Sequence, residues 1–410
     1  MTAPPLTEEC TTVDALLREA ARVHGEREAY VEPDGRRISF ARWERDSDAL
    51  AGALAERGVR AGDVVALMLP SSVDYAVCYA ALARLGAVTS GLNTRLGPRE
   101  VVGVLDRARP VLVIRDGAAG LPEVPPGLPV LDRAELASMY RHPGPGPVRP
   151  APAPTDPVVI IWTSGTTGLP KGAWFDARNL AAGARAAGVM SAPYDRRLVA
   201  TPFAHAGYMA KLWDQLVWGI AIVISPVPWS AAAMARIMRE ERISVVGGVP
   251  TQWAKLLEEP ESGHLPDLRI GIAATAPAPP DLVADVGTRL GVPLVVRYAM
   301  TESPTICGTE PDDPPEVQFR TVGRPQAGVE VAVTGPDGRP VPRGEVGRVR
   351  VRGACVMRGY WNEPELTAAT LTDDGWLVSG DLGRFTDEGN LVLAGRVGDL
   401  YIRGGYNVHP

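Results

Sequence analysis

At 410 residues the chain is too long for one small domain and suits two or three packed subdomains. Hydrophobic residues make up 45% and charged residues 22%, enough apolar surface to offset ordering entropy, so disorder as the main state is excluded. The 42 basic and 48 acidic residues give a net charge of -6, without the basic excess or stripe of a nucleic-acid binder.

The opening MTAPPLTEEC has no basic n-region or apolar h-region, so no secretory signal is expected. No apolar run reaches membrane-spanning length; the best is Leu216 to Ile224. Cys10, Cys78, Cys307 and Cys355 are far apart and form no CxxC pair. Neither a disulfide nor a metal framework is expected, and a cytoplasmic location is the default. The only lysines among the basic residues are Lys171, Lys211 and Lys255.

In chain order, Val13 to His24 and Trp43 to Arg57 read as amphipathic helices. Asp63 to Leu69 reads as a strand, Val73 to Leu85 as a helix and Val111 to Ile114 as a further strand. Strands alternating with helices argue for a mostly parallel, doubly covered sheet. Arg141 to Pro157 is Pro-rich and reads as a linker or exposed loop. Val158 to Trp162 is a buried-type strand. Alternation then resumes, with strands near Leu198, Ile220 to Ile224, Val245 and Leu294. From about Thr321, short β-rich runs at Val329 to Val333, Gly347 to Arg352 and Leu391 to Leu393 predict a small antiparallel unit.

Thr163 to Gly172 reads TSGTTGLPKG. Glycines let backbone N–H groups converge on an anion, hydroxyls add neutral donors, and Lys171 adds a mobile positive charge. This is the composition of a phosphate cradle, entered by a strand and expected to be followed by a helix. The spacing does not match GxxxxGK[ST], because Pro170 precedes Lys171 and Gly172 follows it.

The string, together with an ordered set of further motifs, resembles the adenylate-forming superfamily of acyl-CoA synthetases and carrier-loading adenylation enzymes. The motifs are TPFAHAG with His205, GIAATAPAP from Gly271 to Pro279, RYAMTE from Arg297 to Glu302, SGD from Ser379 to Asp381, and GRVGDLYIRGGYN from Gly395 to Asn407. The resemblance covers most of the chain. It implies an α/β fold: the superfamily's N-terminal domain, with two α/β subdomains plus a small β-barrel-like subdomain, and the active site in the cleft where they meet. The implied boundaries are 1–394 for the AMP-binding domain and 395–410 for the hinge and the start of a C-terminal domain.

Site roles follow from the same resemblance. Lys171 and the hydroxyls of Thr163, Ser164, Thr166 and Thr167 would hold the β- and γ-phosphates, within a loop that includes Gly165 and Gly168. Ala274, Thr275 and Ala276 would adjoin the nucleotide, and Tyr298 would stack on adenine. Thr301 would contact the α-phosphate, and Glu302 would hold Mg2+. Asp381 and Arg396 would grip the ribose. His205 would line the acyl pocket near the reacting carboxylate, with Lys211, Arg297 and Pro304.

The implied chemistry consumes ATP with Mg2+. A carboxylate oxygen attacks the α-phosphate, pyrophosphate leaves, and a thiol then displaces AMP from the acyl-adenylate. The thiol would be coenzyme A or, alternatively, the phosphopantetheine arm of a separate carrier protein. A further alternative is activation of another oxyanion, such as nitrite for arylamine diazotisation. A homodimer is left open.

The sequence also departs from the superfamily's pattern. It stops inside the hinge-proximal motif, without the lysine that the C-terminal domain normally supplies, so the C-terminal domain is expected to be missing. Such a chain would bind adenosine nucleotides but adenylate poorly. Gly398 stands at the hinge position, where Asp or Lys is usual. Arg297 precedes Tyr298 as in malonyl-CoA synthetases, where an RYxMTE arginine serves a second carboxylate. A second anionic or strongly polar group on the acid is therefore expected. The competing expectation is that Arg297 pairs with Asp214 or Glu310 and Lys211 snorkels to solvent. Trp213 and Trp218 are expected in the core. His24, His142, His264 and His409 are expected at the surface.

Overall fold

The computed structural model describes residues 4–6, 11–117, 121–141, 151–163, 170–259, 263, 265–274, 278–397, 401–403 and 406–408. The chain divides into two compact units. The first comprises Met1–Ala184, Ser191–Trp229 and Met357–Pro364; the second comprises Arg185–Met190, Ser230–Val356 and Glu365–Pro410.

The first unit opens with helix Val13–His24. Thr12 caps it, its hydroxyl accepting from the Ala15 N–H at 3.2 Å. Val13, Leu16, Leu17 and Ala20 are buried, the spacing of one helical face. Helix Phe40–Glu56 starts earlier than its apolar pattern suggests, because Ser39 is the cap and Phe40 is already buried. Helix Val73–Leu85 is capped by Ser72 and ends at the left-handed Gly86.

A seven-stranded sheet forms the centre of this unit. Val64–Met68 pairs in parallel with Val88–Gly91 and with Leu112–Arg115. Val88–Gly91 pairs in parallel with Pro157–Trp162, and Leu112–Arg115 with Val130–Asp132. Every residue of Val64–Met68 is buried, as parallel sheets covered on both faces require. Pro157–Trp162 also takes an antiparallel neighbour, Gly172–Asp176, which in turn pairs with Gly359–Tyr360. The expected helix after the TSGTTGLPKG loop is thus corrected: a strand comes first, and helix Ala177–Arg185 follows it. A second set of strands in this unit runs Arg196–Val199, Ala221–Ile224, Glu28–Val31 and Arg37–Ser39, parallel except for the last.

In the second unit, Val245–Gly248, Ile270–Ala274 and Leu294–Met300 are parallel. Ser303–Gly308 then turns back antiparallel and pairs with Arg324–Pro325. The predicted antiparallel unit is a four-stranded sheet of Val329–Thr334, Gly347–Gly353, Leu377–Phe385 and Leu391–Arg396. Cys78, Cys307 and Cys355 are buried free thiols. No helix among the described residues is long and apolar enough to cross a membrane.

The structure corrects the surface assignment of His24, which is 3% exposed. Its Nε2 donates to the Leu216 carbonyl at 2.9 Å, and its ring packs against Phe40 and Tyr194. Nδ1 has no partner among the described residues. His142, His264 and His409 lie outside the described residues. Burial, with a smaller contribution from Arg27, lowers the His24 pKa, outweighing the Leu216 contact. A depressed histidine pKa favours the neutral ring in the folded state. The unfolded chain therefore takes up the proton first as pH falls below about 6.5. This contribution to stability is complete above that pH and is lost below it. Urea midpoints at pH 7.5 and 5.5 should differ less for His24→Gln than for the parent; an equal difference would show that His24 does not contribute.

Candidate functional site

Thr163 and Lys171 close the base of the glycine-rich loop. The Thr163 N–H donates to the Lys171 carbonyl at 2.9 Å, and the Lys171 N–H donates to the Thr163 hydroxyl at 3.3 Å. Trp162 and Gly172 are cross-strand partners just below, so an antiparallel pair clamps the loop at both ends. Lys171 Nζ stands 5.6 Å from the centre of the Tyr360 ring. Tyr360 belongs to the short strand hydrogen-bonded beside Gly172–Asp176. Ser164, Gly165, Thr166, Thr167 and Gly168 lie outside the described residues.

His205 leaves the carboxyl side of the parallel strand Arg196–Val199 and caps the short helix Ala206–Met209. The Gly207 N–H donates to its Nδ1 at 3.1 Å. In the neutral ring the proton is therefore on Nε2. Its edge is open to solvent, yet desolvation by the surrounding protein lowers its pKa. Lys211 is the N-cap residue of helix Leu212–Trp218. On that helix Trp213 is buried, Trp218 is half-buried, and Asp214 pairs with Arg197 at 3.0 Å.

In the second unit the RYAMTE residues form one arm of a hairpin. Met300 pairs with Ser303, which leaves Thr301 and Glu302 as its two turn residues. The register shifts between Tyr298 and Met300, a bulge of the kind that re-aims side chains next to active sites. Pro304 is the second residue of the return strand and is half-buried. Ala274 is the register partner of Arg297 at the end of its own strand, while Thr275 and Ala276 lie outside the described residues.

Arg297 stands opposite Gly308 in the hairpin. A Cβ at Gly308 would lie 1.4 Å from Arg297 Nη1, so the guanidinium occupies the space a side chain there would fill. Nη1 donates to the Thr309 carbonyl at 3.0 Å. Thr309 is itself fixed, accepting from the Val296 N–H through its hydroxyl at 2.9 Å. Of the two expected acidic partners, the structure places Glu310 near Arg297, at 3.6 Å, while Asp214 is engaged by Arg197.

Tyr298, Asp381 and Arg396 come together although they lie far apart in sequence. The Tyr298 hydroxyl donates to Asp381 Oδ2 at 2.6 Å, and Arg396 Nε is 3.1 Å from Asp381 Oδ1. Asp381 and Arg396 are cross-strand register partners. Ser379 holds the turn of the chain there: its hydroxyl accepts from the Asp381 N–H and donates to the Val349 carbonyl. Burial, reinforced by the Asp381 carboxylate, pushes the Tyr298 phenol well above its ordinary pKa, so it remains a hydrogen-bond donor. Gly398 lies outside the described residues.

The profile of the AMP-binding enzymes matches residues 17–361. The chain belongs to that family. Among curated relatives, a sulfoacetate–CoA ligase of Cupriavidus necator is 31% identical, over 97% of this chain and 81% of its own length. A long-chain-fatty-acid–CoA ligase of Mycobacterium tuberculosis is 32% identical, over 96% and 80%. Among solved structures, the N-terminal domain of FACL13 from M. tuberculosis superposes with a TM-score of 0.85 at 27% identity, covering 93% of this chain and 99% of that one. ATP-bound MatB from Rhodopseudomonas palustris gives 0.86 at 28%, covering 97% and 82%. The chain is an AMP-forming, acyl-CoA synthetase-like enzyme.

For an AMP-binding enzyme the donor set is coherent. Asp381 offers a carboxylate already held by Tyr298 and Arg396, an acceptor suited to hydroxyls. Glu302 places a carboxylate in the partly exposed Thr301–Glu302 turn. That fits Mg2+, which binds through one or two carboxylates plus substrate phosphates and water. Sequence reasoning missed Tyr360. The Gly359-Tyr360-Trp361 string was its only local signal, and its pairing with Gly172–Asp176 is long-range.

A second glycine supports the Arg297 hairpin. Gly323 has φ +73, and a Cβ there would lie 1.9 Å from the Gly308 carbonyl oxygen. Gly328 has a similar φ of +74 but open space around it. Gly323→Ala should therefore cost about 2 kcal/mol or more, beyond the backbone strain that Gly328→Ala carries alone. Urea midpoints check this; equal losses in the two variants would contradict the close approach.

Proposed function

We propose that this enzyme is an ATP-dependent acid–CoA ligase whose acid carries a second anionic or strongly polar group. The observation that carries this is the buried Arg297, whose Nε and Nη2 find no hydrogen-bond partner among the described residues. Glu310 compensates its charge from 3.6 Å without a hydrogen bond, and a buried guanidinium with unfilled donors is costly until an acceptor meets them. The relatives do not choose between acid classes. They include a sulfoacetate–CoA ligase, a long-chain-fatty-acid–CoA ligase and a feruloyl-CoA synthase at comparable identity.

The residue roles proposed here are these. Lys171 and the loop hydroxyls neutralise the leaving phosphates, with Tyr360 steadying the lysine from one side. Asp381 and Arg396 take the ribose hydroxyls, and Tyr298 takes the adenine. Thr301 donates to the α-phosphate, while Glu302 would hold Mg2+, which spreads phosphate charge when bound. His205, neutral and protonated on Nε2, donates to the acid's reacting carboxylate without becoming a competing base. The net task is electrostatic. Two anions must approach, and fixed donors stabilise the charge that develops. The thiol acceptor is assigned to coenzyme A. We assign residues 395–410 to the hinge and the start of a C-terminal domain.

MgATP-dependent pyrophosphate release should test this across fatty acids, aryl acids, dicarboxylates, sulfonated acids, and nitrite with aromatic amines. Diacids should outperform monoacids of equal length, and Arg297→Ala should erase that margin. A margin that survives the substitution would refute the reading, and release with nitrite alone would move the enzyme out of acyl chemistry. For the phosphate loop, Tyr360→Leu should weaken ATP binding by about threefold while Tyr360→Phe keeps it, as expected for loss of one cation–π contact. Isothermal titration with ATP distinguishes the two.

A further inference from the structure

The Arg297 neighbourhood holds a second, less settled charge. Arg297 is 6% exposed. Its Nη1 is spent on the Thr309 carbonyl. Its Nε and Nη2 form the edge by which a guanidinium takes a carboxylate with two parallel hydrogen bonds, and both are buried without a hydrogen-bond partner among the described residues. The nearest anionic atom is Glu310 Oε1, 3.6 Å from Nη2. That is an ion pair without a hydrogen bond. The Glu310 side chain is 44% exposed, in contrast to the arginine it faces.

The backbone beneath Glu310 is pinned. Its N–H donates to Asp313 Oδ2 at 2.7 Å, and the Asp313 N–H returns to the Glu310 carbonyl at 3.1 Å. Gln318 Nε2 donates to the Pro311 and Asp313 carbonyls at 2.9 and 2.7 Å. Asp313, the other acid near Arg297, is thereby committed to holding the turn. Only the Glu310 side chain is left to move. Desolvation raises its carboxyl pKa even with Arg297 beside it, so this pair is not deeply stabilised.

We propose that Glu310 is an exchangeable counter-ion: it neutralises Arg297 in the empty protein and yields the Nε–Nη2 edge to the acid's second anionic group. This rests on the reading that the acid carries such a group. A monoanionic acid meets a neutralised arginine and gains nothing from it. A carboxylate or sulfonate that makes both hydrogen bonds outcompetes a carboxylate that makes neither, and Glu310 moves out into solvent. Glu310 thus lowers the affinity for dianions below what an unopposed arginine would give, while keeping the buried charge compensated when no acid is present.

The test is equilibrium binding of malonate, succinate and sulfoacetate against acetate and propionate, with α,β-methylene-ATP and Mg2+ present, to the parent, Glu310→Gln and Arg297→Met. In Glu310→Gln the ratio of dianion to monoanion affinity should rise about tenfold. A ratio that stays level or falls overturns the counter-ion role. Arg297→Met should abolish the dianion preference of the parent. If it does not, or if the parent shows no such preference, the dianion reading itself fails, which is a different result from an unresponsive Glu310→Gln. Should Arg297→Met not fold, the parent and Glu310→Gln comparison decides alone, because the Glu310 side chain is 44% exposed and the turn is held by its backbone, which the substitution keeps.

Discussion

Parallel strands bring their carboxyl ends to one edge of a sheet, and the motif residues of both units leave from such ends. In the first unit Pro157–Trp162 runs into the glycine-rich loop, and Arg196–Val199 runs into the segment bearing His205. In the second, Ile270–Ala274 and Leu294–Met300 end at Ala274 and at the Thr301–Glu302 turn. A strand interior is buried on both faces and can host little polar chemistry. The exits are where backbone N–H groups and hydroxyls are free to meet a ligand. The antiparallel returns at Gly172–Asp176 and Ser303–Gly308 then hold each exit in place.

The Tyr298–Asp381–Arg396 cluster is built differently. Asp381 and Arg396 sit across from each other on antiparallel strands, where register alone sets their distance. Tyr298 reaches Asp381 from a sequence position 83 residues away. One carboxylate is thus shared by a phenol and a guanidinium before any ligand arrives. Such preorganisation lowers the cost of ordering side chains on binding.

Much of this was legible in the sequence where local chemistry decides structure. Helices Val13–His24 and Val73–Leu85 match their predicted bounds because Thr12 and Ser72 cap their starts and Gly25 and Gly86 end them. The short β-rich runs after Thr321 carried enough turn residues to announce an antiparallel sheet. The strand after the glycine-rich loop was not legible: Gly172-Ala173-Trp174-Phe175-Asp176 is too short to declare its period, and a phosphate loop suggested a helix by analogy. His24 looked like an exposed helix end, and only tertiary packing against Leu216 and Tyr194 buries it. Of the site, residue identities were readable from the ordered motifs. The partners Tyr360 and Thr309 were not, because each is brought in by strand pairing that no local pattern encodes.

The guanidinium of Arg297 fills the volume that a side chain at position 308 would claim. These two positions therefore share one space, and position 308 cannot gain a side chain while the arginine stays where it is. In any descendant of this chain the arginine is admissible only while 308 stays a glycine, and once 308 gains a side chain the arginine must shrink or turn away. A side chain at position 308 would thus exclude the buried cation without itself carrying any charge. Across sequences of this kind, an arginine–glycine pairing at these two places would serve as a heritable signature for the buried cation.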